Sequence, residues 1–241
     1  YINSHYETRY NQMKHRMEWR KKGEEDFVML DDMVSNSIWM ELNEAGYPCS
    51  VKNMENLIYS DFSFSYHPIR EYINHLPQWD GIDHIGRLAE SVHTIPAQRE
   101  FWLKGFRHFL VGMVAAATQE EIVNHLCLLL CSKQNLGKTT FINKILSNDL
   151  RTDYLSTGII SAGNKDDLSR MAEFMLINFD EFEGMTGHEL SLLKDLITRK
   201  FISIRLPYAR HTLNLPHWAS FAGTCNYPQV LYDPTGNRRF L

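Results

Sequence analysis

Residues 126–140 constrain this chain most. Leu126-Cys-Leu-Leu-Leu-Cys131 is a continuous apolar run, and Ser132-Lys133-Gln134-Asn135-Leu136-Gly137-Lys138-Thr139-Thr140 follows it directly. A short apolar run closed by turn chemistry reads as a strand buried on both faces. A helix over residues 138–146 is expected after it. Strand, tight loop and helix start form a Walker A arrangement, with Ser132 where the first glycine usually sits. Such a loop turns its N–H groups inward and cradles β- and γ-phosphates. Gly137 permits close backbone approach, Lys138 neutralises phosphate charge, and the Thr139 hydroxyl can ligate Mg²⁺. The nucleotide-binding set is therefore residues 132–140, with ATP and Mg²⁺ as the expected cofactors.

Three further signals follow in order. Met175-Leu-Ile-Asn-Phe-Asp180-Glu181 is an apolar strand ending in two acids. As a Walker B element it gives Asp180 to the metal and Glu181 to the attacking water. A strand that simply meets solvent at two acids is the plain alternative, and Glu183 has no assigned role. Residues 221–226 form a strand ending in Asn226, which can bring an amide toward the γ-phosphate; an Asn at a strand end is also ordinary turn chemistry. Asp233-Pro-Thr-Gly-Asn-Arg238-Arg239-Phe240 ends in two arginines. Either solubilises a surface or stabilises transition-state charge as an arginine finger. In an extended segment adjacent side chains point oppositely, so one of the pair would serve a given phosphate. Between the acid-ended strand and the Asn-ended strand lies an expected hairpin, residues 201–206 and 211–215. It carries Lys200, Arg205, Arg210 and His211, with Tyr208 and Trp218 nearby. Charge among rings suits single-stranded nucleic acid; a solvated basic hairpin is the alternative.

Composition bounds the rest. The 241 residues are 44% hydrophobic and 22% charged, with 25 Lys/Arg against 29 Asp/Glu for a net charge of −4. These values exclude global disorder and rods, and confine any nucleic-acid surface to a local patch. The four cysteines form no CxxC pair, which leaves zinc and redox motifs without support. Cys127 and Cys131 read as small core hydrophobes. A reducing, cytoplasmic setting is expected. The longest nearly apolar stretch, residues 109–117, falls short of the roughly 20 residues a membrane helix needs. The chain begins at Tyr1 and ends after an Arg-Arg pair, as expected of a fragment of a longer protein.

Three regions are expected. Residues 1–26 open with six Lys/Arg against two Glu up to position 22, and read as a basic segment: solvated helix, linker or nucleic-acid arm. Residues 27–97 read as short helices, with Ser50 as a cap and Pro68 in a first turn. They suit a winged-helix-like module or a helical shoulder. Residues 98–241 alternate strands with helices, hence α/β with a mainly parallel sheet. The helix over 98–118 is expected to cover that sheet through Phe101, Phe106, Leu110 and Val114.

From residue 60 onward the chain resembles the virulence-associated protein E family, whose ATPase domain is akin to superfamily 3 helicases and phage and plasmid primase-helicases. The resemblance rests on the Ser132–Thr139 loop, Phe179-Asp180-Glu181-Phe182-Glu183, Gly223-Thr-Cys-Asn226 and the Asp233–Phe240 run. Tyr66-His-Pro-Ile-Arg70, Trp79-Asp-Gly81 and Arg87 add to it upstream. It implies an AAA+-like P-loop NTPase with ATP and Mg²⁺, a homo-oligomeric ring such as a hexamer, single-stranded DNA and a primase as partners, and no membrane. Lys138 and Thr139 take Walker A roles, Asp180 and Glu181 Walker B roles, and Asn226 the sensor role. Arg238 or Arg239 becomes the finger on a neighbour's nucleotide, and the Lys200–His211 hairpin the pore hairpin. Ser132 and Asn135 stand where glycines are usual, and a helical lid beyond Leu241 would be missing. The expected function is a DNA helicase or replication motor of a mobile element. The alternative is a nucleotide-gated DNA-binding or assembly module with little hydrolysis. A small-molecule P-loop kinase is disfavoured, because a water activated by Glu181 would waste ATP.

Overall fold

A computed structural model describes residues 1–158, 164–180, 182–205, 211–227 and 237–241. It divides the chain into two compact units, Tyr1–Leu76 and Pro77–Leu241. The division falls before the boundary at residue 97 that the helical pattern suggests.

In the first unit, α1 (Ile2–His5) leads into β1 (Tyr6–Asn11) and β2 (Arg16–Lys21). The expectation of a helix or linker over residues 1–26 is corrected here, because this segment is an antiparallel hairpin. Its charges are cross-strand partners rather than a solvated run: Glu7 faces Arg20, and Arg9 faces Glu18 at 2.7 Å. The alternate positions bury Tyr6 and Met17 against Ile38, Leu42, Met54 and Ile58. The Arg9 guanidinium lies over the rings of Phe27 and Tyr66, at 3.9 and 3.7 Å. β3 (Val28–Met29), α2 (Asp32–Glu44), α3 (Val51–Ile58), β4 (Phe64–Tyr66) and α4 (Pro68–Asn74) complete the unit, whose sheet order is β3-β2-β1-β4. Ser50 caps α3 by accepting from the Asn53 N–H, and Pro68 opens α4. The unit is thus a mixed sheet with helices, not the all-helical region expected after residue 27.

The second unit begins with α5 (His84–Glu90) and α6 (Arg99–Thr118). The buried stripe of α6 is Trp102, Phe106, Phe109, Leu110, Met113, Ala116 and Ala117. Phe101 and Val114, expected in that stripe, are exposed; the spacing of three and four set by Trp102, Phe106 and Phe109 turns the face away from them. Asn124, buried, donates to the Phe109 carbonyl and to Ser220 Oγ, both at 3.0 Å.

β5 (Cys127–Cys131), α7 (Lys138–Asn143), α8 (Asn148–Tyr154), β6 (Leu155–Thr157), α9 (Lys165–Glu173), β7 (Leu176–Phe179), α10 (Gly187–Leu196), β8 (Phe201–Ile204), β9 (Leu213–Pro216) and β10 (Ser220–Cys225) follow. Four of these strands form a parallel sheet in the order β5-β10-β7-β6. β8 and β9 pair as the expected hairpin. β7 and β10 are buried along their whole length. Phe179, Phe182, Phe221, Leu193, Ile197 and Ile202 are among the core residues on one face. Cys131, expected in the core, is exposed, because it sits at the carboxyl end of β5. Leu241 pairs with β5 at Cys127 and Leu129. Among the described residues no helix is long and apolar enough to cross a membrane.

Candidate functional site

Parallel strands all present their carboxyl ends at one edge, and in open α/β sheets ligands bind in the crevice there. β5, β7 and β10 end respectively before Ser132, Asp180 and Asn226. Those three ends enclose a cleft of about 470 Å³, lined by residues 134–140, Asp180, Thr224 and Asn226.

The loop takes its shape from two left-handed residues, Asn135 at φ 62° and Gly137 at φ 79°. Asn is among the few side chains that adopt this region readily, so it supplies the turn that a glycine would. Gly137 then starts α7. Lys138 Nζ folds back and donates to the carbonyls of Ser132 and Lys133, at 2.7 and 2.8 Å, and to Asn226 Oδ1 at 3.2 Å. Thr139 Oγ1 donates to Asp180 Oδ1 at 3.0 Å, and Thr224 Oγ1 donates to the same oxygen at 2.9 Å. Asn178, buried one turn of the pleat before Asp180, donates to Asn143 Oδ1 at 2.8 Å and ties α7 to β7.

The expected site residues therefore separate. Gln134 to Thr140, Asp180 and Asn226 converge on the cleft; Ser132 and Lys133 approach it through their carbonyls. Glu181 and Arg210 lie outside the described residues, as do Tyr208 and residues 233–236. Arg238 and Arg239 do not line the cleft. They sit in a 3-10 turn, Asn237–Arg239, rather than the extended segment expected, with Arg238 exposed and Arg239 half-buried. Lys200, Arg205 and His211 lie on or beside the β8–β9 hairpin and are exposed, and Lys200 pairs with Glu121 at 3.4 Å. Trp218, read as a ring for base stacking, is 2% exposed and belongs to the core. Below the cleft, burial pushes the Cys225 thiol up to about 12, with Cys131 adding to the shift. Cys225 is a protonated packing group, not a nucleophile.

Residues 73–241 match the family described as the virulence-associated protein E-like domain. The chain belongs to that family. No curated protein matches it in sequence. The virulence-associated protein E-like chain is similar to an apo structure of the NrS-1 C-terminal region, with a TM-score of 0.55 at 10% identity over 99% of this chain and 58% of that one. A second apo structure of that region gives 0.54 at 11% identity, again over 99% and 58%. The chain thus spans less than two thirds of the structures it resembles, and the likeness is one of fold.

Two residues of this virulence-associated protein E-like site, Thr224 and Glu183, have no role assigned in the sequence reading. Thr224 shares a strand face with Asn226 through the period of two, which is the signal that finds it. Glu183 accepts from the Asn226 backbone N–H, 3.3 Å from both carboxylate oxygens, and from Asn226 Nδ2. It sits on a 3-10 turn, Phe182–Gly184, whose position no local pattern announces.

Proposed function

We propose that this chain is the ATPase core of a DNA helicase or replication motor of a mobile genetic element, an AAA+-like P-loop fold that hydrolyses ATP with Mg²⁺ and acts on single-stranded DNA. One observation carries the reading: Lys138, Thr139, Asp180 and Asn226, from three strand ends, meet in one cleft. The residues fit the cofactors. Thr139 and Asp180 offer two hard oxygen ligands 3.0 Å apart, the few protein ligands Mg²⁺ takes beside phosphates and water. Lys138 and the N–H groups of the left-handed loop suit a triphosphate. Mg²⁺, when bound, would neutralise charge on the phosphate oxygens. Asn226 would orient the terminal phosphate or its attacking water, and Glu181 would take the proton of that water. Arg238 or Arg239, outside the cleft of their own subunit, would reach a neighbour's nucleotide in a ring. Lys200, Arg205, Arg210 and His211 would track the phosphates of the strand, and a primase would act beside the motor.

A second reading has its own observation. Lys138 already donates to the Ser132 carbonyl and Asp180 already accepts from Thr139, an arrangement that also suits a nucleotide-gated assembly module with little turnover. ATP turnover by the full-length protein, with and without single-stranded DNA, separates the two. Turnover stimulated by DNA and abolished by Lys138→Ala supports the motor. Tight ATP binding without turnover, with DNA affinity that follows ATP, replaces it with the gated module. ATP binding unaffected by Lys138→Ala refutes both.

A further inference from the structure

Among the described residues, Glu183 is the acid beside the cleft for which the P-loop reading has no use. Its carboxylate does not line the cleft. Instead it faces the back of Asn226, accepting from the backbone N–H at 3.3 Å and from side-chain Nδ2. On the other side, Asn226 Oδ1 accepts from Lys138 Nζ at 3.2 Å. The amide is therefore held between a group that only donates and a group that only accepts.

That pairing fixes which way round the amide lies. The two ends of an Asn amide have nearly the same shape, so packing alone does not choose between them. Here the flipped form would set N–H groups against the ammonium and the oxygen against the carboxylate. Both contacts would turn repulsive. The amide nitrogen has two hydrogens, and Glu183 engages one. The second is left for the cleft that Asn226 lines.

The support behind Glu183 is rigid. Phe182, its neighbour in the turn, is 1% exposed and packs on Phe179 and Phe240, with ring centroids 6.3 and 5.7 Å away. The same ring lies against Gly223, where an added Cβ would come within 3.0 Å of Phe182. The turn is thus seated directly on β10, the strand that delivers Asn226. A donor held on a locked support is how a site keeps its geometry between turnovers.

We propose that Glu183 is a positioning residue: it clamps the Asn226 amide so that one N–H is aimed at the phosphate end of the cleft while Lys138 is released to the incoming nucleotide. The proposal rests on the nucleotide-binding reading of the cleft, and deepens it by assigning the acid that orients the sensor amide.

The test combines kinetics with a spectroscopic readout on the same full-length protein. Glu183→Ala should lower kcat for ATP by about ten- to a hundredfold, the loss expected when a reacting group is misplaced. KM should move by less than about threefold, since the phosphate loop is untouched. Glu183→Gln, which keeps an acceptor at the same reach, should recover part of that loss. In an Asn226→Ala background, Glu183→Ala should have no further effect on kcat, because its action runs through the amide. The Asn226 side-chain amide resonance, assigned by its absence in Asn226→Ala, should shift in both Glu183 variants without nucleotide. An equal kcat loss in the Asn226→Ala background, or an amide resonance unmoved by Glu183→Gln, overturns the proposal. Wild-type protein that binds Mg·ATP without turnover refutes hydrolysis; the amide resonance then decides the clamp alone, its shift supporting it and its constancy overturning it.

Discussion

Thr224→Val tests whether Asp180 is a metal-holding acid. The two side chains are nearly isosteric, and Thr224 is 4% exposed, so the change deletes one hydroxyl from a packed site. That hydroxyl donates to Asp180 Oδ1 at 2.9 Å, beside the Thr139 hydroxyl at 3.0 Å. If Thr139 and Asp180 both turn to Mg²⁺, Thr224 is, among the described residues, the hydroxyl left to orient the carboxylate. A hydrogen bond to an ionised group contributes about 1.5–3 kcal/mol. Asp180 is exposed, so water replaces part of the loss and the lower figure applies. About 1.5 kcal/mol is roughly a tenfold change in a binding constant, within the range for groups that support a metal ligand. The assay is a Mg²⁺ titration of ATP turnover or nucleotide binding, at saturating nucleotide, with circular dichroism as the folding control. The half-saturating Mg²⁺ concentration should rise about tenfold while nucleotide affinity at high Mg²⁺ stays near wild type. A folded variant with an unchanged Mg²⁺ midpoint would show that Asp180 does not hold the ion.

Gly223→Ala should destabilise the second unit, since the new Cβ would sit 3.0 Å from Phe182 Cδ2 and 3.2 Å from the Phe179 carbonyl oxygen. Overpacking of this kind takes about 1–3 kcal/mol, so the melting temperature should fall by roughly 2–10 °C; an unchanged melting curve would mean the strands move apart freely. His217 is 1% exposed, its Nδ1–H donating to the Arg199 carbonyl at 2.7 Å, and burial lowers its pKa to about 4. The unfolded chain binds this proton near pH 6.5 and the folded one only near 4, so stability is complete above pH 6.5 and falls as the pH drops toward 4. The loss reaches about 3 kcal/mol, and urea unfolding from pH 7 to 4 should show a shallower decline in His217→Asn than in wild type. Equal slopes would assign the acid sensitivity to other groups.

The parallel sheet, the turn from β5 into α7 and the acid- and amide-ended strands were legible because each is a local pattern: an apolar run, then residues whose chemistry belongs at a strand end. The departure at Asn135 was legible as a difference but not in its consequence, which is that Asn takes the left-handed turn itself at φ 62°. What the chain did not announce depends on neighbours distant in sequence. The basic run over residues 9–22 reads as solvated until Glu7 and Glu18 are set across from Arg20 and Arg9. Trp218 reads as a ring for stacking until its backbone N–H and that of Ala219, both donating to the Met171 carbonyl, draw that segment into the core. Cys131 and Cys127 look alike in the run 126–131, yet the strand ends between them and the cleft edge, so one is exposed and the other buried. Glu183 lies four residues past the end of β7, where the period of two no longer applies and a 3-10 turn sets its direction.

The order of the parallel sheet also dictates a timetable. β5 and β7 do not pair with each other; each pairs with β10, which lies between them. Phe221 and its register partner Cys127 are 94 positions apart, and such remote pairings form late because the intervening loop must close first. A ribosome therefore releases β5 long before anything exists for it to hydrogen-bond to. Until residue 225 has emerged, Leu128 belongs to an unpaired ribbon of apolar chain, and Ile177 and Phe179 to a strand paired on its β6 side alone, the kind of surface that recruits chaperones or sticks to another copy. The strand that ends at Asn226 is thus also the keystone of folding, and a nascent chain halted before it should be captured as an aggregate or a chaperone client rather than as a smaller folded domain.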